Sequence, residues 1–185
     1  MIATSETSRD RRNGQAENAA IGLGANLGDR KATLLVAWRE LAATPGIRPL
    51  KLSSFYITAP QDMESEHDFI NAVGLIETTL APLALLRLLL AIEARHGRRR
   101  DPQASGYQDR PLDLDLLFFG DLVFHTPELT LPHPRLHERL FVLEPLTEIF
   151  PAWRHPALGY SVEELRGDMS ALCGQEIRRS TWNSE

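Results

Sequence analysis

Two aspartates lie two positions apart in the apolar run 112–117, which reads Leu-Asp-Leu-Asp-Leu-Leu. Because side chains alternate between the two faces of a β-strand, Asp113 and Asp115 are predicted to share one face while the leucines are buried on the other. Two residues of strand rise separate them by roughly 6.6 Å. Carboxylates this close repel each other unless a cation lies between them, and Mg²⁺ prefers such oxygen ligands. The pattern predicts a magnesium site, although an amphipathic strand with a solvated acidic face is the alternative.

Arginines are concentrated immediately before this pair. Residues 87–110 contain six arginines and three acids, although the whole chain has a formal net charge of −5. The planar guanidinium group suits bidentate contact with phosphate oxygens. Arg98, Arg100 and Arg110 are therefore predicted to bind a polyphosphate that also contacts the metal, whereas Arg99 is better explained as a solvated loop residue. The local positive charge favours a small polyanion over a nucleic acid.

An aromatic residue and an amide begin another predicted strand. Phe69 and Asn71 share one face of the strand predicted over residues 69–78. This pair suits a flat heterocycle, because the ring can stack on the ligand and the amide can bond its edge. Phe141, on a predicted helix, allows the same interpretation. Burial in the core is the alternative for both phenylalanines.

Two further features carry less chemical information. The glycine-rich segment 22–29 lacks the Lys-Ser/Thr ending of a P-loop and the glycine spacing of a dinucleotide site, so it is predicted to be a tight turn between a strand and a helix. His133 lies between two prolines and is either a phosphate contact or a loop residue.

The periodicity of the chain predicts the order strand, helix, strand, strand, helix, strand. Asp29 is predicted to cap the first helix and Gly97 to end the second. These elements are predicted at 19–23, 30–43, 47–56, 69–78, 82–96 and 112–119, followed by a small strand at 122–125 that pairs with the sixth element and a last helix at 136–149. The order is that of the split βαβ unit. The predicted fold class is therefore α+β, with a ferredoxin-like core and an antiparallel sheet with helices on both faces.

The composition is typical of a single globular domain, with 185 residues, 43% hydrophobic and 24% charged. We predict a disordered N-terminal tail over residues 1–18, one domain over 19–170 and a C-terminal tail over 171–185. The single cysteine cannot form an internal disulfide, and no apolar run approaches the ~20 residues of a membrane-spanning helix. A cytoplasmic protein is therefore expected.

Several short motifs follow one another between residue 21 and about residue 151. They read GLGANLGDR at 22–30, SSFY at 53–56, TAP at 58–60, DFINA at 68–72, RPLDLDLL at 110–117, PHPRLHER at 132–139 and FVL at 141–143. In this order and at this spacing, the series resembles the 6-hydroxymethyl-7,8-dihydropterin pyrophosphokinase family of folate biosynthesis.

The resemblance implies a reaction in which pyrophosphate passes from ATP to the hydroxymethyl group of the dihydropterin and AMP is released. The catalytic residues it implies are Arg98, Arg110, Asp113 and Asp115, and the two aspartates would also hold two Mg²⁺ ions. The residues implied to bind ATP are Glu93, Arg98, Arg100, Tyr107, Arg110, His133 and Arg139. Those implied to bind the dihydropterin are Thr58, Phe69, Asn71, Asp113 and Phe141, with the phenylalanines stacking on the pterin. The family usually works as a monomer, and no nucleic acid, membrane or obligate protein partner is inferred.

The segment 98–110 corresponds to a mobile loop that closes over ATP in this family. Many members have Trp-Gly-Pro-Arg where residues 107–110 read Tyr-Gln-Asp-Arg. Tyr107 is expected to replace the tryptophan less fully, so the resemblance predicts altered loop closure.

Two other functions are compatible with parts of the pattern. One is a pterin- or nucleotide-binding protein without activity, which the intact aspartate pair disfavours because a binding protein has no need for adjacent anions. The other is a metal-dependent nucleotidyl transferase, which the stacking residues and Asn71 disfavour.

Overall fold

An antiparallel β-sheet forms the centre of the protein. The computed structural model describes residues 15–60, 65–99, 108–172 and 176–180. The strands within these ranges are β1 (Glu17–Ala25), β2 (Ile47–Leu52), β3 (Tyr56–Thr58), β4 (Phe69–Thr78), β5 (Asp113–Phe119), β6 (Phe124–His125), β7 (Thr130–Leu131) and β8 (Ile177–Arg179). The α-helices are α1 (Arg30–Ala42), α2 (Pro82–Arg95), α3 (Leu140–Ile149) and α4 (Val162–Leu172), and a 3₁₀ turn spans Leu136–Glu138.

The strand order confirms the predicted fold class. The sheet runs β5-β1-β4-β3-β8, and β2 also pairs with β4. Strand β2 pairs with residues 74–78 of β4 and β3 with residues 69–71, so β2 and β3 occupy successive parts of one edge. All of these pairings are antiparallel. With α1 and α2 as the two crossover helices, the arrangement is the ferredoxin-like α+β core.

Helices cover both faces of the sheet. On one face, α1 and α2 bury Leu34 and Leu89 against Ile21 and Ile76 of the sheet. On the other face, α3 and α4 bury residues such as Leu143 and Val162 against the sheet residues Val73 and Phe118. Because strand residues alternate in direction, β1 sends Ile21 to the first core and Gly22 and Gly24 to the α3 side. The face that α3 covers only in part is where the site forms.

The predicted start of the first helix and the predicted end of the second helix are confirmed. The side chain of Asp29 accepts a hydrogen bond from the backbone N–H of Ala32 at 3.1 Å, which caps α1. Gly97 follows α2 with a φ of +86°, a left-handed conformation that glycine adopts without steric cost.

The strand predicted over 47–56 is divided, because two features interrupt its ladder. The register shifts between Pro49 and Lys51, where proline has no N–H to donate. Further along, the backbone N–H of Val73 bonds to the hydroxyl of Ser53 at 3.0 Å instead of to a strand carbonyl. The chain resumes pairing only at Tyr56, so β2 and β3 are separate strands.

The predicted pairing of residues 122–125 with the sixth element is wrong. Strand β6 pairs with β7, because Thr126 closes a turn onto the carbonyl of Leu129 through its backbone N–H at 2.9 Å. The helix predicted over 136–149 is also interrupted. Arg139 has an extended backbone, with φ −122° and ψ 105°, and separates the 3₁₀ turn from α3.

The C-terminal part of the chain contains two elements that the sequence analysis did not predict. Helix α4 packs on α3 through Val162 and Leu165, and β8 extends the sheet from within the range 171–185 predicted as a tail. At the other end, β1 begins at Glu17, inside the range 1–18 predicted as a tail. Within the described ranges, no helix has the length and apolar character that crossing a membrane requires.

Candidate active site

The two aspartates of β5 lie on the face of the sheet that α3 leaves open. Asp113 pairs across the ladder with Gly24 of β1, and Asp115 pairs with Gly22. Leu114 alternates with them and is buried on the opposite face. The predicted division of this strand into an acidic and an apolar face is therefore confirmed.

The glycines opposite these aspartates form the floor of a cavity. A Cβ atom at Gly24 would lie 3.0 Å from Oδ1 of Asn71, and one at Gly22 would lie 3.4 Å from the side chain of Leu117. Both glycines line the cavity together with Asp113 and Asp115. The prediction that segment 22–29 is a turn is correct only for its end, where Gly28 has a φ of +65°. Gly22 and Gly24 are in the strand, where they keep space open.

Asp113 is surrounded by positive charge. Arg98 donates to both Glu93 and Asp113, and Nη2 of Arg110 lies 2.7 Å from Oδ2 of Asp113. Glu93 is itself buried and accepts a hydrogen bond from the backbone N–H of Leu114 at 2.8 Å. The carboxylate of Glu93 thus fixes the position of Arg98 relative to β5.

Asp115 has a different environment from Asp113. Nη1 of Arg139 lies 3.7 Å from Oδ2 of Asp115. Burial and the negative charge of Asp113 raise the pKa of Asp115 to about 6. The side chain is still 39% exposed, and that exposure opens into the cavities that Asp115 lines. Asp115 is therefore the carboxylate that has most to gain from a bound cation.

The aromatic and amide residues of the prediction lie in the same cavity as the aspartates. Nδ2 of Asn71 donates to Oγ1 of Thr58 at 2.9 Å, and both side chains are buried. The guanidinium carbon of Arg110 lies 5.1 Å from the ring centroid of Phe69, and that of Arg139 lies 5.5 Å from the ring centroid of Phe141. Each ring of the predicted stacking pair thus has an arginine over its face.

A second cavity lies on the other side of Asp115. Its walls come from α2, from the hairpin of β6 and β7, and from the segment after β7. The residues that line it include Leu86, Leu90, Leu129, Asp115, Thr130 and His133. Asp115 lines both this cavity and the one that contains Phe69 and Phe141. The carboxylate of Asp115 can therefore be reached from both cavities.

His133 is fixed by the backbone around it. Its N–H donates to the carbonyl of Leu117 at 2.7 Å, and its Nδ1 accepts from the N–H of Arg135 at 3.1 Å. Burial and the nearby charge of Arg139 lower the pKa of His133 to about 4. The imidazole is therefore neutral at pH 7, and it would contact a phosphate as a hydrogen-bonding group without a charge.

Asn26 belongs to the site although sequence reasoning assigned it only to a turn. Its Oδ1 accepts from the backbone N–H of Arg110 at 2.8 Å, and its own backbone N–H donates to the carbonyl of Arg110 at 3.2 Å. Its Nδ2 also donates to Asp109 at 2.5 Å. Asn26 is buried, and a buried amide requires such partners, but neither its burial nor its partners can be read from the sequence.

The structure brings most of the predicted site residues together. Those that surround the two cavities or the charge network between them are Thr58, Phe69, Asn71, Glu93, Arg98, Arg110, Asp113, Asp115, His133, Arg139 and Phe141. Arg100 and Tyr107, with most of the predicted mobile loop 98–110, lie outside the described residues. Arg99, interpreted as a loop residue, is exposed.

The donor set suits a hard divalent cation with few protein ligands. Among the described residues, no group of three or more histidine, cysteine, aspartate or glutamate side chains could enclose a metal ion. Two carboxylates on one strand face, one with a raised pKa, instead suit an ion that keeps most of its sites for water and phosphate oxygens.

Fold and site together define a class of protein. It is a ferredoxin-like α+β domain whose acidic centre, flanked by arginines, lies between two cavities and is suited to transfer between two small molecules. Residues 20–151 match the family model described as 7,8-dihydro-6-hydroxymethylpterin-pyrophosphokinase (HPPK), and the chain belongs to this family.

Individual relatives agree with the family model. A 2-amino-4-hydroxy-6-hydroxymethyldihydropteridine pyrophosphokinase of Porphyromonas gingivalis is 42% identical over 137 residues, which cover 74% of this chain and 92% of that protein. The protein of the same name from Synechocystis is 39% identical over 151 residues, 82% of this chain and 75% of that protein.

A solved structure shares the fold. The HPPK-DHPS of Plasmodium falciparum with SDX-DHP superimposes with a TM-score of 0.68 at 14% identity. The match covers 85% of this chain and 45% of that one, so the chain spans less than half of the solved protein.

Proposed function

We propose that this protein transfers the pyrophosphoryl group of ATP to the hydroxymethyl oxygen of 6-hydroxymethyl-7,8-dihydropterin, in folate biosynthesis. The observation that carries the proposal is that Asp115 lines both cavities, so one carboxylate of the pair could face a ligand in each of them. Family membership and the names of the relatives support the same reaction.

The dihydropterin would occupy the cavity over Gly22 and Gly24. Phe69 and Phe141 can stack on a flat bicyclic ring. Since Nδ2 of Asn71 is used by Thr58, its Oδ1 can accept from the amino and N–H groups along one edge of the pterin. A cavity of this type, apolar with a few placed polar groups, fixes both the position and the orientation of a small ligand.

ATP would occupy the second cavity. The side chains of Leu86, Leu90 and Leu129 offer apolar contacts to an adenine ring. Asp115 and His133 lie in the same cavity and would be near the phosphates. Arg98, Arg110 and Arg139 each lie beside an aspartate of the pair. They could therefore contact the oxygens of a phosphate that binds next to Asp113 and Asp115.

Asp113 and Asp115 would hold Mg²⁺, with two ions expected. When bound, the metal neutralises phosphate oxygens and lowers the charge barrier to attack. The chain itself orients the reactants, because Phe69, Phe141 and Asn71 hold the pterin. Its hydroxymethyl oxygen would then form a bond to the β-phosphorus and lose its proton to solvent. The bond from that phosphorus to the oxygen bridging the α-phosphate breaks, and AMP leaves with that oxygen.

The arginines have a role in both states of the site. Arg98 and Arg110 form ion pairs with Asp113 and so neutralise its charge. When a polyphosphate and metal arrive, the guanidinium groups can exchange the carboxylate for phosphate oxygens, and their contacts strengthen as charge develops during transfer.

Product analysis distinguishes this function from its alternatives. With Mg-ATP and the dihydropterin, the proposed enzyme releases AMP in a one-to-one ratio with pterin consumed. A nucleotidyl transferase would release pyrophosphate, and a pterin- or nucleotide-binding protein would bind its ligand without forming a product. Either of these two outcomes would contradict the proposal.

We further propose a monomer in the cytoplasm. The lone cysteine supports a reducing compartment, since it cannot form an internal disulfide. Size-exclusion chromatography with light scattering tests the oligomeric state.

A further inference from the structure

A hydrogen-bonded cluster outside the two cavities joins three elements of the fold. At its centre is Glu148 of α3, whose carboxylate accepts from the hydroxyl of Tyr56 at 2.9 Å and from the backbone N–H of Ser54 at 3.1 Å. The hydroxyl of Ser54 donates to it as well, at 2.9 Å. Arg179 of β8 completes the cluster, with Nη2 at 3.1 Å from Oε1 of Glu148.

The helix that carries Glu148 also carries one wall of the dihydropterin cavity. Phe141 and Glu148 are seven residues apart on α3, which is two helical turns, so the two side chains lie on the same side of the helix. The first turn of α3, which carries Phe141, therefore faces the cavity, and the last turn, which carries Glu148, is bonded to β3.

The strand that Glu148 holds carries the opposite wall. Tyr56 and Thr58 are two residues apart on β3 and share a face. Thr58 lines the cavity and accepts the hydrogen bond from Asn71. The bonds between Glu148 and the β3 segment thus connect the strand that carries Thr58 to the helix that carries Phe141.

Strand β3 is short and depends on its neighbours for order. It has three residues, which pair with β4 on one side and with β8 on the other. The backbone N–H of Ser180 adds a bond to the carbonyl of Phe55 at 2.7 Å. Without β8, β3 would be an edge strand held by three residue pairs, and such short edges are weakly ordered.

Tyr56 is a stable hydrogen-bond donor in this cluster. Burial and the hydrogen bond to Glu148 raise the pKa of Tyr56 to about 12. The hydroxyl therefore stays protonated and continues to donate to the carboxylate over the range of pH in which the enzyme would work.

We propose that Glu148 is a positioning residue for the dihydropterin site, and that the C-terminal strand β8 maintains its contacts through Arg179. This inference rests on the proposed function. Residues 176–180 lie beyond the part of the chain that matches the family model, which ends at residue 151. The substrate site of this chain would then depend on a segment that touches no substrate.

Two variants and a matched control test the proposal. Glu148→Ala removes every bond that the carboxylate makes in the cluster. Arg179→Gln removes the exposed ion pair to Glu148 together with the hydrogen bond from Arg179 to the hydroxyl of Ser54. Arg166→Gln is the control, because it breaks the ion pair between Arg166 of α4 and Glu144 of α3, the helix that also carries Glu148. The interaction of Arg166 with Tyr56 of β3 is only electrostatic. The affinity for the dihydropterin and the KM values for both substrates would be measured for each purified full-length protein, together with thermal melting.

Glu148→Ala should raise the dissociation constant for the dihydropterin about five- to tenfold, a loss of about 1–1.4 kcal/mol by the usual conversion. Arg179→Gln should raise it about two- to threefold, as the modest strength of exposed ion pairs allows, and Arg179→Lys should recover most of that loss. The KM for ATP should stay at the wild-type value in all variants. Arg166→Gln should lower only the melting temperature.

Amide exchange at residues 56–58 in the ligand-free protein gives a readout that does not depend on the reaction. Exchange should be faster in Glu148→Ala and Arg179→Gln than in the wild type and in Arg166→Gln. Unchanged exchange with unchanged dihydropterin affinity would overturn the positioning role. Weakening of dihydropterin binding in Arg166→Gln in proportion to its lost stability would also overturn it. If the wild-type chain bound no dihydropterin, the proposed function would fail, whereas faster exchange would still support the coupling of β3 to Glu148.

Discussion

The guanidinium carbon of Arg110 lies 5.1 Å from the ring centroid of Phe69, over one face of the ring. Nη2 of the same arginine is 2.7 Å from Oδ2 of Asp113. Arg110 therefore contacts both a residue proposed to bind the pterin and a proposed metal ligand.

Arg110→Ala should lower the rate of the chemical step far more than it weakens ATP binding. Its contact to the phosphates would strengthen as negative charge develops, and loss of one such donor costs about 10²–10³ in kcat. Because the proposed contact of Arg110 is to the phosphates, dihydropterin binding without ATP should change little. Single-turnover rates and calorimetric affinities for each ligand measure these effects. A variant impaired only in ATP affinity would make Arg110 a passive phosphate contact.

Replacing Asp115 and replacing Asp113 by asparagine should have opposite effects on the stability of the metal-free protein. The pKa of Asp115 is raised to about 6, so its protonated form is favoured in the folded state. Its contribution to stability is complete below its unfolded pKa and is lost as the pH rises through about 6. Asp115→Asn should therefore raise the melting temperature at pH 8 and change it little at pH 4.

Asp113→Asn should lower the melting temperature at pH 8, because it removes the partner of Arg98 and Arg110. A change of 1 kcal/mol shifts the melting temperature of a protein of this size by about 2–4 °C. Asp121→Asn, at an exposed turn position, is the control and should have no effect. If Asp115→Asn were destabilising at pH 8, the environment assigned to Asp115 would be incorrect.

Phe141→Ala should weaken dihydropterin binding more than ATP binding. A lost stacking partner is worth about 0.5–1.5 kcal/mol beyond the area that it buries. Phe150→Ala is a suitable control, because Phe150 packs near Phe118 and does not line the dihydropterin cavity. The control should lose stability and keep both affinities. Equal losses for the two ligands in Phe141→Ala would show that the pterin lies elsewhere.

Gly24→Ala should weaken dihydropterin binding without preventing folding. The added methyl group would lie 3.0 Å from Oδ1 of Asn71, so the amide must shift from the position in which it bonds Thr58. Gly167→Ala, in α4 with no atom within 4 Å of the added carbon, should leave binding unchanged and slightly stabilise the helix. Dihydropterin titration of both variants measures the difference. Wild-type affinity in Gly24→Ala would contradict the proposed position of the pterin edge.

Local sequence patterns were sufficient to predict the core of the fold. The alternation around Asp113 and the caps at Asp29 and Gly97 depend on neighbouring residues, so they could be predicted without tertiary information. The division of β2 from β3 could not, because it depends on the hydroxyl of Ser53 bonding a residue 20 positions away.

The site was predictable where residue type determines chemistry and not where geometry does. Two carboxylates on one strand face, preceded by a cluster of arginines, indicate a cation and a polyphosphate, so Asp113 and Asp115 could be identified. The roles of Gly22 and Gly24 as the cavity floor depend on the register between β1, β4 and β5, which the chain alone does not specify. The anchoring of Arg110 by Asn26 joins residues 84 positions apart and was missed for the same reason.

The fate of the γ-phosphate of ATP tests the proposed reaction most directly. ATP labelled at that phosphate would be incubated with Mg²⁺, the dihydropterin and the wild-type chain, Asp113→Ala or Asp115→Ala, and the products separated. The wild type should transfer the label to the dihydropterin with equimolar AMP, and both variants should transfer none while melting cooperatively. Label recovered as inorganic phosphate or pyrophosphate, or full transfer by either variant, would contradict pyrophosphoryl transfer at the aspartate pair.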